Sequence, residues 1–473
     1  MKYRIIIYLS LTLMLAGCNA GTRDTFEGMF PDYTDITIPC NIAPLNFRIA
    51  HAAAIKVDIK GTNGQYKFRG HRGLVRFPVR KWHRMLNAET GNTLTVNVTA
   101  GESYRNTFTW TVAQDSIDQY MSYRLIEPAY EVWSGIQIEQ RDVTSFRTRL
   151  LGDNRNAELC CMNCHTSNRS GTSFMHLRGP KGGTILTRNG HNYKLNTKTA
   201  NTGGGVYGDI SADGRYAVFT TADITFAIHS RVDQRMEVYD KRSDLVVVDF
   251  DNFSVTDSPV TSGDEYQETF PCFSADGRTI FFCRARHKEQ PDSIDRMHYD
   301  IAVVEFNPET GRMGDKVITI VPAGDNLSFS HLKVSPDGRW LMVTAAGYGT
   351  FPVWHKESEL WLIDLKTRHI DMLPQVNASG ADTYHSWSSN SRWVAFASKR
   401  DDLVYGRPYI VYIGPDGNAG KPFVLPQKDP DKYRKMLKSF NLPELYAIPE
   451  IYNARETARQ YRNVEAFELK YQP

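Results

Sequence analysis

Short apolar runs alternate with polar turns along most of the chain, and from residue 206 onward this alternation repeats. Each repeat has a turn with Asp-Gly or a variant of it, followed by a four-residue apolar strand. Asp-Gly between apolar runs predicts a tight hairpin, in which both turn residues take positive φ. A second strand follows and mostly ends in an acid. The turns are Ser211–Arg215, Ser274–Arg278, Ser335–Arg339 and the degenerate Ser388–Arg392.

Four strands per repeat predict the blades of a β-propeller. The serines of successive turns are 63, 61 and 53 residues apart, which is more than a minimal blade needs. We therefore expect long loops at 220–243 and 284–300. Partial blades around 183–195 and 133–146 bring the expected number of blades to six, with five or seven as alternatives.

Outside the repeats the pattern of apolar and polar residues is different, but it still predicts mainly strands. We therefore expect an all-β protein. Residues 30–115 hold short alternating strands, which predict a β-sandwich of immunoglobulin or fibronectin type. The propeller is expected over 120–426, with a cysteine-rich segment at 158–180. Residues 427–473 predict a helix from about Asp429 to Ser439 and an extended tail.

Residues 1–17 form an export signal. Lys2 and Arg4 precede the apolar run Ile5–Ala16, which is too short to span a bilayer as a helix. The run ends Leu-Ala-Gly before Cys18, which resembles the lipid-attachment site of a bacterial lipoprotein. The alternative is an ordinary signal peptide with a chance cysteine. Because residue 19 is Asn, we expect a periplasmic protein anchored in the outer membrane through lipid on Cys18.

Composition narrows the classes of function. The chain of 473 residues is 41% hydrophobic and 12% aromatic, enough for a large core. Its net charge of +3 argues against nucleic acid as a partner. Seven cysteines are too few for a disulfide scaffold. Cys272 and Cys283 flank one predicted hairpin, where packed free thiols are favoured over a disulfide.

The sequence Cys161-Met-Asn-Cys164-His165 has the spacing to which c-type haem is attached. Two thiols one turn apart reach the vinyl groups of one porphyrin edge, and His165 would then ligate the iron. His176 is the preferred distal ligand, with Met175, His191 or an open position as alternatives. Other interpretations are structural cysteines, or a zinc site with His176 or His191 as the fourth ligand.

A second candidate site lies at the propeller axis. The innermost strand of each blade runs into its turn, so residues at the start of that strand are expected to lie near one mouth of the central channel. Aromatic, imidazole and carboxylate groups there would suit a sugar or peptide, unless they merely line a solvated channel. Motifs for a nucleophile, a zinc protease or a phosphate loop are absent from the sequence. The candidates are Tyr207, Glu268, Phe270, His331, Tyr384 and His385.

The Ser-Pro-Asp-Gly-Arg repeats resemble the TolB-like, or PD40, β-propellers. Longer segments resemble a lipoprotein group of Bacteroides-type bacteria. This resemblance implies the fold but little about activity, because propellers host binding, scaffolding and catalysis alike. We expect a binding or scaffolding role at the cell envelope, toward a protein, glycan or peptide. One covalent haem would add a redox or sensing function. The alternative is an enzyme acting on envelope polysaccharide or peptide. The segments are Tyr123–Pro128, Cys161–His165, Tyr384–Trp393 and Leu425–Pro430.

Overall fold

The computed structural model describes residues 28–473 apart from 103, 129–134, 230, 232–233 and 289–293. Cys18 and the predicted export signal lie outside the described residues. Among the helices described, none is long and apolar enough to cross a membrane.

The N-terminal domain is one eight-stranded sheet, where the sequence predicted two facing sheets. Helix α1 (Val79–Ala88) buries Trp82, Met85 and Leu86, which join the sheet's side chains in one apolar core. The helix therefore supplies apolar cover that a second sheet would have provided. In spatial order the strands are β1 (Met29–Phe30), β3 (Phe47–Ile49), β6 (Leu74–Val75), β5 (Gln65–His71), β4 (Ala54–Lys60), β7 (Thr93–Ala100), β8 (Tyr104–Val112) and β2 (Ile36–Ile38).

Six sheets of four or five strands form a six-bladed propeller, which confirms the predicted fold class. The first half of the propeller holds blade 1, with β9 (Tyr120–Ile126), β10 (Gln137–Asp142) and β11 (Thr148–Asp153); blade 2, with β12 (Met162–Ser167), β13 (Ser173–Leu177), β14 (Gly183–Arg188) and β15 (His191–Asn196); and blade 3, with β16 (Gly205–Ile210), β17 (Tyr216–Ile228), β18 (Met236–Asp249) and β19 (Ser254–Asp257).

The second half has the same antiparallel order within each blade. Short 3-10 helices lie at Asn154–Asn156, Ile294–Arg296 and Pro352–Trp354. The strands are β20 (Tyr266–Phe273), β21 (Thr279–Arg286), β22 (Asp300–Asn307) and β23 (Arg312–Val321) in blade 4; β24 (Ser328–Val334), β25 (Trp340–Ala346), β26 (Glu359–Asp364) and β27 (Ile370–Asp371) in blade 5; and β28 (Asp382–Trp387), β29 (Trp393–Ser398), β30 (Arg407–Tyr412) and β31 (Phe423–Val424) in blade 6.

The repeated turns owe their sequence to a shared hydrogen-bond pattern. In blade 5 the Ser335 hydroxyl donates to Asp337 at 2.6 Å and accepts from the Trp340 N–H at 2.9 Å. Arg339 then pairs with Asp364, the acid that ends the third strand, at 2.5 Å. Gly338 has φ of 72°, whereas Asp337 is not among the residues with positive φ. The prediction that both residues take positive φ is therefore corrected: the Asp side chain caps the turn, and glycine alone needs the left-handed region.

The propeller extends beyond residue 426, because a C-terminal strand closes blade 1. Strand β32 (Ser439–Tyr446) pairs antiparallel with β9 and is the innermost strand of that blade. The helix predicted from Asp429 is reduced to α2 (Lys432–Lys435). Helix α3 (Ala454–Asn463) follows, and β33 (Phe467–Glu468) and β34 (Lys470–Tyr471) add to the outer edges of blades 2 and 3.

Residues 220–228 and 236–243 pair as a ribbon where the sequence predicted a loop. Strands β17 and β18 stay paired out to Ile228 and Met236, well beyond the body of blade 3. Met236 packs in one apolar cluster with Trp354 and Tyr384, so the ribbon reaches blades 5 and 6. Glu237 on the ribbon accepts a hydrogen bond from His355 at 2.9 Å. The ribbon therefore covers one end of the propeller axis.

Candidate functional site

The innermost strand of every blade changes register near its middle through a β-bulge. At four of these bulges a residue with a full side chain takes the left-handed conformation: Phe270, His331, Tyr384 and Leu442, with φ between 49° and 52°. That conformation costs about 1–2 kcal/mol per residue outside glycine. Because bulges redirect side chains, all four side chains line a cavity on the axis.

Rings from four consecutive blades form a continuous chain in this cavity, which we call the axial chamber. The ring centroids of Tyr207 and Phe270 are 4.3 Å apart, those of Phe270 and His331 are 4.3 Å apart, and those of His331 and Tyr384 are 4.6 Å apart. The chamber holds about 80 Å³. Its walls are therefore mainly aromatic and its free space is small.

A half-buried cation, Lys333, lies at one end of the axial chamber. Lys333 Nζ is 3.2 Å from Asp209 and 3.8 Å from Glu444, and it donates to the Thr166 hydroxyl at 3.5 Å. Burial alone would lower the pKa of Lys333, but the two carboxylates outweigh it, and the pKa is raised. Burial raises the pKa of Glu444 to about 7, with Asp209 adding to the effect and Lys333 opposing it. The cluster of Lys333, Asp209, Glu444 and Thr166 therefore links blades 5, 3, 1 and 2 across the axis.

Three neutral imidazoles line the same chamber. Burial lowers the pKa of His165 and of His385 to about 3, helped by Arg124 and Lys333 respectively, and it lowers the pKa of His331 well below its usual value. His385 donates through Nε2 to the Met342 carbonyl at 2.9 Å, which leaves Nδ1 without a partner. Neither ring nitrogen of His165 makes a hydrogen bond of normal geometry. Buried polar atoms of this kind require an explanation.

The axial chamber opens toward the face that carries the Asp-Gly turns. A funnel of about 120 Å³ shares Lys333 and Glu444 with the chamber and continues to that face. Arg169 reaches from the blade 2 turn to the Pro336 carbonyl of blade 5 at 3.1 Å, across the funnel mouth. The opposite end of the axis lies under the ribbon. A ligand would therefore enter from the turn face.

Most of the predicted axial residues meet in this chamber. Tyr207, Phe270, His331, Tyr384 and His385 all line it, at mid-depth rather than at a mouth. Glu268 does not line the chamber. It is buried within blade 4 and pairs with Arg284 at 3.0 Å, and burial raises its pKa to about 7 against the opposing effect of Arg284.

The haem motif lies on the innermost strand of blade 2. Cys161 directly precedes strand β12 (Met162–Ser167), and Cys164 and His165 lie within that strand beside its bulge. The motif predicts two thiols one helical turn apart, whereas residues 162–167 form a strand. Covalent haem stays an untested prediction.

The other residues expected as iron ligands also lie in blade 2. His176 is buried outside the chamber lining, with Nδ1 2.8 Å from the Thr184 hydroxyl, and Met175 is buried while His191 is exposed. Within the described residues, no three His, Cys, Asp or Glu side chains are arranged to hold a metal ion. Cys272 and Cys283 are buried free thiols, as the sequence favoured.

Comparison with known proteins finds similarity only among solved structures. No protein-family model and no curated protein matches the chain. Solved structures similar to it include TolB from Acinetobacter baumannii, with 11% identity, a TM-score of 0.45, and 78% of this chain and 86% of that chain covered. A hypothetical selenium-binding protein from Sulfolobus tokodaii has 10% identity, a TM-score of 0.45, and coverage of 76% and 91%. The periplasmic gluconolactonase of Pseudomonas aeruginosa has 14% identity, a TM-score of 0.37, and coverage of 84% and 100%.

Proposed function

We propose that this protein binds the end of a neutral saccharide in its axial chamber, as a lipid-anchored periplasmic propeller of the cell envelope. The observation that carries the proposal is that both ring nitrogens of His165 and Nδ1 of His385 lack a hydrogen bond of normal geometry in an aromatic cavity. A hydroxyl group can both donate to and accept from a neutral imidazole. Aromatic walls with a few convergent polar groups are typical of small-molecule sites.

The charges of the chamber favour a neutral ligand. Lys333 is already neutralised by Asp209 and Glu444, and the three imidazoles are uncharged at neutral pH. A charged peptide terminus would meet no unpaired counter-charge there, and its burial would be costly. A saccharide instead offers hydroxyl groups to the imidazoles and C–H faces to the rings. Glycan is therefore preferred over peptide.

Substitution of His165 tests this proposal. His165→Phe keeps a ring but removes two buried nitrogens that make no hydrogen bond of normal geometry, so we expect stability to stay equal or to rise by about 1 kcal/mol. Binding of N-acetylglucosamine or its short oligomers, measured by saturation-transfer NMR and calorimetry, should fall at least tenfold. His191→Phe, on the exposed turn of the same blade, is the matched control and should bind normally.

Unchanged saccharide affinity in folded His165→Phe protein would contradict the proposal. A second outcome also contradicts it: binding of short unmodified peptides, with no binding by the saccharides, would place peptide in the chamber. Urea unfolding of each variant separates loss of binding from loss of fold.

An enzyme acting on envelope glycan is the second candidate. It is favoured by Glu444, whose pKa of about 7 suits a proton donor near neutral pH and which lines both the chamber and the funnel. Release of reducing ends from envelope glycan by the wild type, lost in Glu444→Gln, would support this function. Binding without any turnover would exclude it.

The proposal also includes where the protein is anchored and whether it carries haem. The lipid-attachment sequence before Cys18 supports anchoring, and we expect Cys18→Ala to leave the precursor uncut or to release the protein from membranes. Normal fractionation of that variant with the membrane would contradict the anchor. Covalent haem on Cys161 and Cys164, with His165 as ligand, is not needed for saccharide binding.

A further inference from the structure

Helix α1 carries an exposed basic row. Arg76, Arg80, Lys81 and Arg84 lie in or just before the helix, all four are exposed, and residues 76–84 contain no acid. Arg80 and Arg84 are one turn apart, so they share one face of the helix. Within the described residues, none of the four side chains makes an ion pair. The row is therefore free to contact an anionic partner.

A second basic segment lies at residues 428–438. It holds five Lys or Arg residues and two acids. Both acids are neutralised within the protein, Asp431 by Arg48 at 2.6 Å and Asp429 by Lys435 at 3.3 Å. Leu437 stands between the lysines with 70% of its surface exposed. Exposed apolar and basic groups side by side are typical of surfaces that lie on membranes.

The two segments belong to one surface, which we call the basic face. His83, between Arg80 and Arg84 on α1, is hydrogen-bonded to the Thr144 carbonyl at 2.8 Å. The neighbouring Phe146 lines an open concavity of about 450 Å³ together with Lys428 and Lys435. The side chain of Asn46 also joins them, since it accepts from Phe77 N–H and donates to the Lys428 carbonyl.

The chain enters the described structure beside this face. Phe30 lies under the guanidinium of Arg434 at 5.7 Å, and Gly28 is bonded to Ala50 of the same domain. Cys18 is ten residues before Gly28, so the proposed lipid lies within about 35 Å of this point. An anchor at that distance brings the neighbouring surface close to the bilayer.

We infer that the basic face docks on anionic phospholipid headgroups, so that the propeller is held in one orientation at the membrane. The inference rests on the proposed anchor for its geometry, but the attraction acts without the lipid. Each Lys or Arg near a charged bilayer strengthens binding about fivefold at low salt. The occupant is a lipid surface because basic groups, an exposed leucine and the anchor point coincide there.

The test uses the mature chain without its acyl groups, exported behind an ordinary signal peptide from residue 19 onward. Sedimentation with vesicles of phosphatidylglycerol and phosphatidylcholine should show binding that grows with the anionic fraction and falls with salt. The triple variant Arg80→Gln, Arg84→Gln, Lys428→Gln should bind about 100-fold more weakly. The control triple Arg178→Gln, Lys198→Gln, Arg462→Gln removes exposed charges from blade 2, its loop and helix α3, and should bind normally.

Equal binding to purely phosphatidylcholine vesicles, or equal losses in the two triple variants, would overturn the inference. Retention on a soluble polyanion without any vesicle binding would also overturn it, in favour of an acidic polymer. Failure of the anchor itself is read separately, from fractionation of Cys18→Ala. The basic-face inference and the proposed anchor are therefore distinguished by different measurements.

Discussion

Replacement of Lys333 by methionine removes the cation that lies between Asp209 and Glu444. Methionine keeps the length and apolar stem of the side chain, so the packing around it is largely retained. Asp209 keeps one hydrogen bond, from the Phe273 N–H at 3.0 Å. Glu444 loses its cation and remains close to a second carboxylate, a contact that already raises its pKa. The change therefore isolates the electrostatic part of the cluster.

The size of the effect follows from the exposure of the three side chains. Removing one partner of a fully buried ion pair costs about 3–5 kcal/mol, whereas an exposed pair contributes about 0–1 kcal/mol. Here the side chains of Lys333, Asp209 and Glu444 are 24%, 19% and 11% exposed. We therefore expect Lys333→Met to lower the free energy of unfolding by about 2–4 kcal/mol near pH 8.

The loss should depend on pH with a definite sign. The pKa of Glu444 is already raised to about 7 and rises further without Lys333. A carboxyl with a raised folded-state pKa stabilises the fold at low pH, and that contribution is lost as pH rises through the folded pKa. The deficit of Lys333→Met in urea unfolding should therefore be clearly smaller at pH 5.5 than at pH 8. Lys198→Met, an exposed control, should change neither value. A deficit equal at both pH values, or below about 0.5 kcal/mol, would refute this reasoning.

The remaining predictions concern two turn glycines, the buried Asp240 and the cysteines of the haem motif. Gly277→Ala should cost about 1–2 kcal/mol for its φ of 67° alone, since the added Cβ would meet nothing within 4 Å. Gly214→Ala should cost about 1–3 kcal/mol more, because its Cβ would also clash with Thr172 and approach Ser170 Oγ to 2.7 Å. Equal losses of stability for the two variants in urea unfolding would contradict this. Asp240 is buried with Oδ2 unpartnered, and burial and Asp223 raise its pKa to about 7. Asp240→Asn should therefore abolish the fall in stability that the wild type shows between about pH 4 and 7, and should raise the free energy of unfolding at pH 8 by about 2–4 kcal/mol. A difference between wild type and variant that is the same at pH 5 and at pH 8 would contradict this. The haem prediction is tested by mass spectrometry on protein exported with intact cytochrome c maturation. A haem increment on Cys161 and Cys164 would confirm it, and an intact mass without that increment would contradict it.

The repeated turns could be predicted from the sequence because their contacts are local. Ser335, Asp337 and Trp340 make the turn of blade 5 within six residues. The closure of blade 1 could not be predicted from the sequence, because β32 pairs with β9 from more than 300 residues away. The strand also contains Pro443, which argues against strand by local rules. The C-terminal segment was therefore expected to be a helix and tail.

The axial site could be predicted in part, and the bulges explain the remainder. Tyr207, His331 and Tyr384 stand out as aromatic or imidazole groups near the expected axis. Lys333 was missed, because a bulge shifts the alternation of a strand and reverses the side on which later residues lie. The motif predicts His165 as an iron ligand, a role that stays untested, but it gives no sign that the strand places this side chain in the chamber. The sequence held all of these residues but gave no local signal for the bulge.

The most direct test of the central claim is a crystal structure of the protein grown with N-acetylglucosamine oligomers. Our account predicts electron density for one sugar ring in the axial chamber, within hydrogen-bond distance of His165 and His385 and reached from the turn face past Lys333. Density for the saccharide on any outer groove with an unaltered, water-filled chamber, or no saccharide at concentrations that saturate binding in solution, would contradict the account.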